Sequence, residues 1–354
     1  MRRRSAAARA VVTLLTAVPV LAACTHAGVD PATGRSPGTR QPGARQHSDG
    51  RGNSGISLAD VRAGLRDPAS RRPVYYLSLG DSLARGIQPA TAGRDVPTSR
   101  GYTDQLAARL RGALPHLRLV KLGCSGETTS TMIHGGICRY PAGSQLAQAA
   151  RFLRSHRGST ALITIDIGAN DPNSCVLSGG LSSILPCVVT RMPQIGRNLG
   201  TILATLRSAA GPRVLIVGMT YYVPELGLWR TGAAGRQIAI LTGAVAAGAN
   251  QMLVIRYRRY GARVANVFAA FRSSDFGAKN GHAHAGATGR AGGPGDPAGP
   301  NPASTAGAGS VPPNVATICS LTWMCARAPR GPNEHPNNAG YRVIAQAYWR
   351  AITR

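Results

Sequence analysis

Apolar residues along this chain fall into two alternating patterns. Short dense runs occur at Val74–Leu79, Leu117–Leu122, Ala161–Ile167, Arg213–Met219 and Ala262–Val267. They are rich in Leu, Val and Ile with little strict apolar/polar alternation, as expected of strands buried on both faces. Between them the apolar positions recur at helical spacing. Leu106, Leu110 and Leu114 share one face, as do Ile195, Leu199, Ile202, Leu203 and Leu206. The stretch from about residue 234 to 257 is Ala-rich with spaced Ile, Leu and Val. A last helix, from about residue 340 to 352, puts Ile344, Tyr348 and Ile352 on one side. Strand alternating with helix predicts an α/β fold in which a five-stranded parallel sheet is wrapped by helices.

Two regions break this rhythm, and they set the domain organisation. The chain starts Met1-Arg2-Arg3-Arg4, followed by small apolar residues from Ala10 to Ala23, interrupted by Pro19. This predicts a secretory signal, since the apolar run is short for a membrane span. It ends Leu21-Ala22-Ala23-Cys24, which resembles a bacterial lipobox. That resemblance implies cleavage before Cys24 and lipidation of its sulfur, with an ordinary cleaved signal as the alternative. Residues 24–70 are rich in Gly, Pro, Ser and Arg, a composition that cannot offset the entropy of ordering, so a disordered tether is predicted there. The expected catalytic domain is then 71–354. Inside it, residues 277–313 are almost all Gly, Ala, Pro, Asn and Ser, a low-complexity insertion. His282 and His284 lie in that insertion, where nothing rigid would fix metal-ligand geometry, so no metal is expected. No stretch after the N-terminal run reads as a membrane span.

Charge and cysteine content narrow the setting. The net charge is +27; removal of Arg2, Arg3, Arg4 and Arg9 with the signal leaves 27 − 4 = +23. The Arg residues are dispersed and aromatics make up only 5% of the chain, which speaks against a specific nucleic-acid surface and for an anionic cell surface. Apart from Cys24 there are six cysteines, in three pairs close in sequence: Cys124 with Cys138, Cys175 with Cys187, and Cys319 with Cys325. In an exported chain these predict three local disulfides, although six cysteines allow about fifteen connectivities. Zinc is disfavoured because no pair has two-residue spacing.

The candidate chemistry lies where the strands end. The first run leads into Gly80-Asp81-Ser82-Leu83, the second into Gly123-Cys124-Ser125-Gly126-Glu127-Thr128, and the third into Gly168-Ala169-Asn170-Asp171. In an open α/β sheet, ligands bind outside the carboxyl ends of the strands, so these three turns should meet at one edge. Near the C-terminus stands Asn333-Glu334-His335-Pro336-Asn337. Together these supply what acyl transfer to water requires. Ser82 is the candidate nucleophile and His335 the general base, then acid. The NH of Ser82, the NH of Gly126 and the amide of Asn170 are the candidate oxyanion donors. Taken singly, each has a plainer reading as a turn or cap residue; the joint placement carries the assignment. Asp81 and Asp171 are read as structural partners of the turns. Tyr221, Tyr222 and Trp229 are read as acyl-pocket walls or as packing residues.

These four blocks, in this order, resemble the SGNH or GDSL hydrolase superfamily. Gly80-Asp81-Ser82-Leu83 matches its first block, Ser125-Gly126-Glu127-Thr128-Thr129 the second, Gly168-Ala169-Asn170-Asp171 the third, and His335-Pro336-Asn337 with Gly340-Tyr341 the last. The resemblance implies a flavodoxin-like three-layer fold and serine esterase or lipase activity without a cofactor. The cysteine layout is similar to that of the secreted actinobacterial lipases and esterases. The chain departs from the family in one respect: the position three residues before the histidine, usually Asp, is Pro332. Some relatives use a main-chain carbonyl there, so the Pro332 carbonyl is the expected orienter of His335, with Glu334 pointing elsewhere and an acid from a distant segment as the alternative. The expected protein is an exported, lipid-anchored, monomeric ester hydrolase. The alternatives are a carbohydrate O-deacetylase on the same scaffold and a non-catalytic surface-binding protein.

Overall fold

The computed structural model describes residues 71–172, 175, 181–277 and 311–354, together with Leu65; for residues 181–185 it describes the backbone only. The expected signal, tether and Cys24, and most of the insertion with His282 and His284, lie outside the described residues.

In chain order the elements are β1 (Val74–Gly80), α1 (Ser82–Arg85), β2 (Ile87–Pro89), β3 (Asp95–Pro97), α2 (Tyr102–Arg111), β4 (Leu117–Lys121), α3 (Thr129–His134), α4 (Gln145–Ser155), β5 (Thr160–Asp166), α5 (Leu181–Ala210), β6 (Leu215–Met219), a 3₁₀ helix (Pro224–Thr231), α6 (Ala233–Arg259), β7 (Arg263–Ala265), α7 (Val267–Ala270), α8 (Pro313–Leu321) and α9 (Asn338–Thr353). Five strands form one sheet in the order β4-β1-β5-β6-β7, and every neighbouring pair is parallel. β5 and β6 are buried along their whole length, which is why their sequences are mainly apolar, broken in β5 by Thr160, Thr164 and the terminal Asp166. The edge strand β4 is only partly buried.

Side chains alternate across the sheet and build two cores. On one face Tyr76, Leu162 and Val217 pack with Leu106 and Leu110 of α2 and with Tyr341, Ile344, Tyr348 and Ile352 of α9. On the other, Leu77, Leu79, Ile163, Ile165 and Ile216 pack with Leu146 and Leu153 of α4 and Leu199, Ile202, Leu203 and Leu206 of α5. This is the three-layer α/β/α arrangement that the hydrophobic pattern and the resemblance predict.

Two features go beyond the sequence reading. An antiparallel hairpin, β2–β3, follows α1 with Ile87 opposite Pro97 and Pro89 opposite Asp95. It is tied to the C-terminal helix by Tyr341 Oη, which donates to the Ile87 carbonyl (2.8 Å), and by Gln88 Nε2, which donates to Asn338 Oδ1 (2.9 Å). Secondly, α6 is, by length and a mean hydropathy of 1.8 over its best window, apolar enough to cross a membrane, although the sequence reading found no such segment. Its Ala239, Leu253 and Tyr257 are buried in the two cores, but only 22% of that window is buried, and Ile240 and Ile255 are exposed, so packing accounts for only part of its apolar character.

Candidate active site

The turn that carries Ser82 rests on the buried end of β5. Gly80, the last residue of β1, has φ 138°, and a Cβ there would lie 2.2 Å from the Asp166 carbonyl oxygen, so only glycine fits. Gln145, at the start of α4, grips this glycine from both sides: Gly80 N donates to its Oε1 (2.7 Å) and its Nε2 donates to Gly80 O (3.0 Å). Asp166 takes the amides of Asp81 and Ala84. Asp81 N reaches its carbonyl (3.1 Å), and Ala84 N its Oδ2 (3.1 Å). Asp81 then caps α1, accepting from Leu83 N (2.9 Å), and accepts from Tyr221 Oη on its other oxygen (2.9 Å). Ser82 is thereby fixed as the first residue of α1.

The second and third turns are tied to each other. Gly126 has φ 79° in a tight turn in which Glu127 N donates to Cys124 O (3.1 Å). Asn170 Nδ2 donates to the Glu127 carbonyl (3.0 Å), which orients this amide beside the Gly126 turn. Asp171 accepts from Thr129 N (2.9 Å) and from the Thr129 hydroxyl at the start of α3. The two aspartates are thus hydrogen-bonded within the turns, as the sequence reading assigned them.

His335 arrives on a loop. Its segment lies against residues 322–323: Trp323 N donates to His335 O (3.0 Å), Asn333 N to Trp323 O (3.2 Å), and Thr322 bridges Pro336. A disulfide closes the opposing turn, Cys319 to Cys325. Two others join Cys124 to Cys138 and Cys175 to Cys187. Tyr222 Oη donates to the Glu334 carbonyl (2.8 Å), holding the backbone just before the histidine.

The ring's partners differ from the expected one. His335 Nδ1 lies 2.9 Å from Asn333 Oδ1, and the same oxygen accepts from His335 N at 2.9 Å. This is an Asx-type turn, in which an Asn side chain folds onto the backbone two residues on. The side chain of Asn333 therefore occupies the position beside Nδ1 that was expected for the Pro332 carbonyl. Behind it, Asp95 Oδ2 stands 3.5 Å from Nδ1, and Asp95 Oδ1 accepts from Asn333 Nδ2 at 2.9 Å.

Ser82, Asn170 and His335 line one cavity of about 660 Å³. Ser82 and the ring are not directly hydrogen-bonded to each other. Gly126 stands outside the cavity wall. The remaining wall is mostly apolar: Val188, Met192 and Ile195 from α5, Tyr221 to Pro224, and Leu241, Val245, Ala249, Met252 and Leu253 from α6. Tyr221 and Tyr222 thus face the cavity, whereas Trp229 packs against Phe276.

Beneath this floor lies a buried acid pair. Burial, followed by the charge of Asp81, pushes the Asp166 carboxyl well above the usual range; burial also raises Asp81. Tyr102 Oη donates to Asp166 and stacks on Tyr348 at 4.7 Å. Sequence reading missed Gln145, Asp166 and Asp95. A carboxylate ending an otherwise apolar strand was a usable signal for Asp166. Nothing local marks Gln145, which reads as an ordinary first-turn residue, or Asp95, which acts across about 240 positions of chain.

The chain matches the family described as GDSL-like Lipase/Acylhydrolase over residues 78–343. No match is found among curated proteins. Similar solved structures include an extracellular lipase from Streptomyces rimosus, with 19% identity over 56% of this chain and 82% of that one and a TM-score of 0.41. They also include the lipase Lip_vut3 from a goat rumen metagenome, with 15% identity, 79% and 98% coverage and a TM-score of 0.46. A third is the acetylxylan esterase Axe2 from Geobacillus stearothermophilus, with 14% identity, 79% and 94% coverage and a TM-score of 0.42. Likenesses this distant carry no argument about substrate. The family match, spanning all four blocks, decides the matter: the chain belongs to the GDSL-like lipase/acylhydrolase family of carboxylic ester hydrolases.

Proposed function

We propose that this protein hydrolyses esters of apolar acyl chains, with Ser82 as nucleophile and His335 as base. The observation that carries this reading is that Ser82, Asn170 and His335 share one cavity whose other walls are mostly apolar. In the first step the Ser82 hydroxyl gives its proton to His335 Nε2 while its oxygen attacks the ester carbonyl carbon. The oxyanion that forms is met by the Ser82 NH, the Gly126 NH and the Asn170 amide. His335 then protonates the leaving alkoxide. Water, deprotonated by the same ring, releases the acid from Ser82. The acyl chain lies between α5 and α6, where burial contributes about 0.8 kcal/mol per CH₂. That apolar wall favours an acyl lipid or alkyl ester over an acetylated glycan, whose deacetylation is the second reading. The three disulfides support an exported protein. Cys24 lipidation would hold it at the outer face of the membrane.

A fluorophosphonate probe tests the core of the proposal. Wild type should label rapidly at Ser82 and hydrolyse p-nitrophenyl esters with kcat/KM rising along the acyl series. Ser82→Ala should fold, fail to label, and lose about three or more orders of magnitude in kcat. A folded Ser82→Ala protein that turns over near wild type would sink the assignment. A preference for acetyl xylan over every alkyl ester would move the substrate to the deacetylase class.

A further inference from the structure

His335 can serve as a base only if the lone pair faces the cavity, so its proton must sit on the ring nitrogen away from Ser82. In this chain Pro332 occupies the place where the family usually has an acid. We infer that Asp95, on the β2–β3 hairpin, is the positioning residue that selects this tautomer, acting on His335 through the amide of Asn333. The inference rests on the proposed serine mechanism.

The hydrogen-bond network determines which way the amide faces. The His335 main-chain NH can only donate, so the atom of Asn333 that meets it at 2.9 Å must be the oxygen. The amide nitrogen therefore points the other way, where the Asp95 carboxylate accepts from it at 2.9 Å. With Oδ1 directed at the ring, Nδ1 must carry the proton to satisfy the 2.9 Å contact. Nε2 is left with its lone pair. Asp95 thus reinforces the tautomer in two ways: it pins the amide against flipping, and its second oxygen places negative charge 3.5 Å from Nδ1, where imidazolium forms during the reaction.

The hairpin is built to deliver this side chain. Gly93 (φ 82°) sits so close to the histidine loop that a Cβ would lie 2.1 Å from the Pro329 carbonyl oxygen. Arg330 donates to the Thr91 hydroxyl across the same seam (3.1 Å). Together with the Asn333 bond these make three ties between hairpin and loop. Asp95 is 43% exposed while His335 is 7% exposed, so solvent screens part of its charge. The effect of removing that charge should accordingly fall short of the ~10⁴ lost when a buried triad acid is neutralised.

Three variants and one spectrum test the idea. Asp95→Asn keeps an acceptor for Asn333 but removes the charge; kcat should fall about 10- to 100-fold with KM nearly unchanged, since the charge acts on the transition state. Asp95→Ala should fall further, because only the His335 NH then holds the amide against flipping. The swap Asp95→Asn with Asn333→Asp moves the carboxylate onto Nδ1 and leaves the new amide at position 95 to donate to it, so activity should recover well above Asp95→Asn alone. A residue that merely braced the loop would show no such charge-dependent rescue. The fourth reading is independent of turnover: ring ¹⁵N shifts of histidine-labelled protein, with His335 assigned by its loss in His335→Gln. Wild type should show the proton on Nδ1, and Asp95→Ala a mixture. If the wild-type proton sits on Nε2, or if Asp95→Asn and Asp95→Ala both keep kcat within twofold, the inference is overturned. An absence of ester hydrolysis and of Ser82 labelling in wild type would instead remove the serine mechanism, and the ¹⁵N shifts would still decide the role of Asp95.

Discussion

The two halves of the candidate site are built by different means. The Ser82 half stands on strand ends. Its turn is fixed by bonds from Gly80, Asp81 and Ala84 to Gln145 and Asp166, both fully buried. The His335 half stands on a loop, held by a disulfide-closed turn, a short backbone pairing and the 43%-exposed Asp95. Hydrogen bonds in a buried setting are strong and their loss is costly. Bonds at a half-exposed seam exchange with water and are worth less. The comparison teaches that the Ser82 side is preorganised by the core itself, whereas the His335 side depends on added staples. Substitutions on the two sides should therefore separate into those that change rate alone and those that change rate and stability together.

After the loss of Ser82 itself, the largest expected effect is also on the strand side. Asn170→Ala removes an amide directed at the Gly126 turn but leaves Gly80, Gln145 and Asp166 in place. It should cost about 10²–10³ in kcat, with KM much less affected and the melting temperature little changed. A change confined to KM would make Asn170 a substrate-positioning group. A large fall in melting temperature would mean that its bond to the Glu127 carbonyl is structural first, and that the strand side is less self-sufficient than the comparison holds.

On the loop side the staple itself can be cut. Cys319→Ser with Cys325→Ser opens the turn that pairs with the His335 segment, in which Trp323 N donates to His335 O. Closing so short a loop is worth about 2 kcal/mol in the chain-entropy model. The double variant should melt lower and lose roughly tenfold in kcat, since a misplacement of about 1 Å in a catalytic group is enough for more than that. Unchanged kcat in the opened protein would show that the hairpin ties alone hold the histidine.

The sheet was legible in the sequence because β1, β5 and β6 are buried on both faces and so had to be written as apolar runs. That Ser82 and Asn170 meet at one edge was legible because both follow strands of one parallel sheet; His335, which the same cavity includes, was marked only by its C-terminal block. The supports of the site were not. Gln145 reads as one polar residue at the start of an amphipathic helix, and only the fold brings it to Gly80, 65 positions away. Asp95 sits in a three-residue strand too short for any periodicity, and its partner Asn333 is 238 positions on. The Asn333 contact was open to reading, since an Asn two residues before another residue commonly bonds that residue's amide. The choice of the Pro332 carbonyl instead followed the family pattern over the local side-chain chemistry.

The smallest effect, and the sharpest on the strand side, concerns pH. Asp166 is fully buried, and its folded-state pKa is raised by burial and by neighbouring Asp81. A carboxyl whose pKa is raised on folding favours the folded state while it stays protonated. That contribution is complete below the unfolded carboxylate range and is lost as pH rises through the raised value. Stability should therefore decline toward alkaline pH as this proton leaves and two carboxylates face each other beneath the Ser82 turn. Asp166→Asn preserves an oxygen for the amides of Asp81 and Ala84 and offers its NH₂ to the Tyr102 oxygen, so the turn keeps its partners. Thermal unfolding across a pH series should show a flatter alkaline limb for the variant, with kcat at neutral pH within a few-fold of wild type. Parallel curves for the two proteins would mean that the pair does not hold its proton in the folded state, and that the floor beneath Ser82 carries a fixed charge.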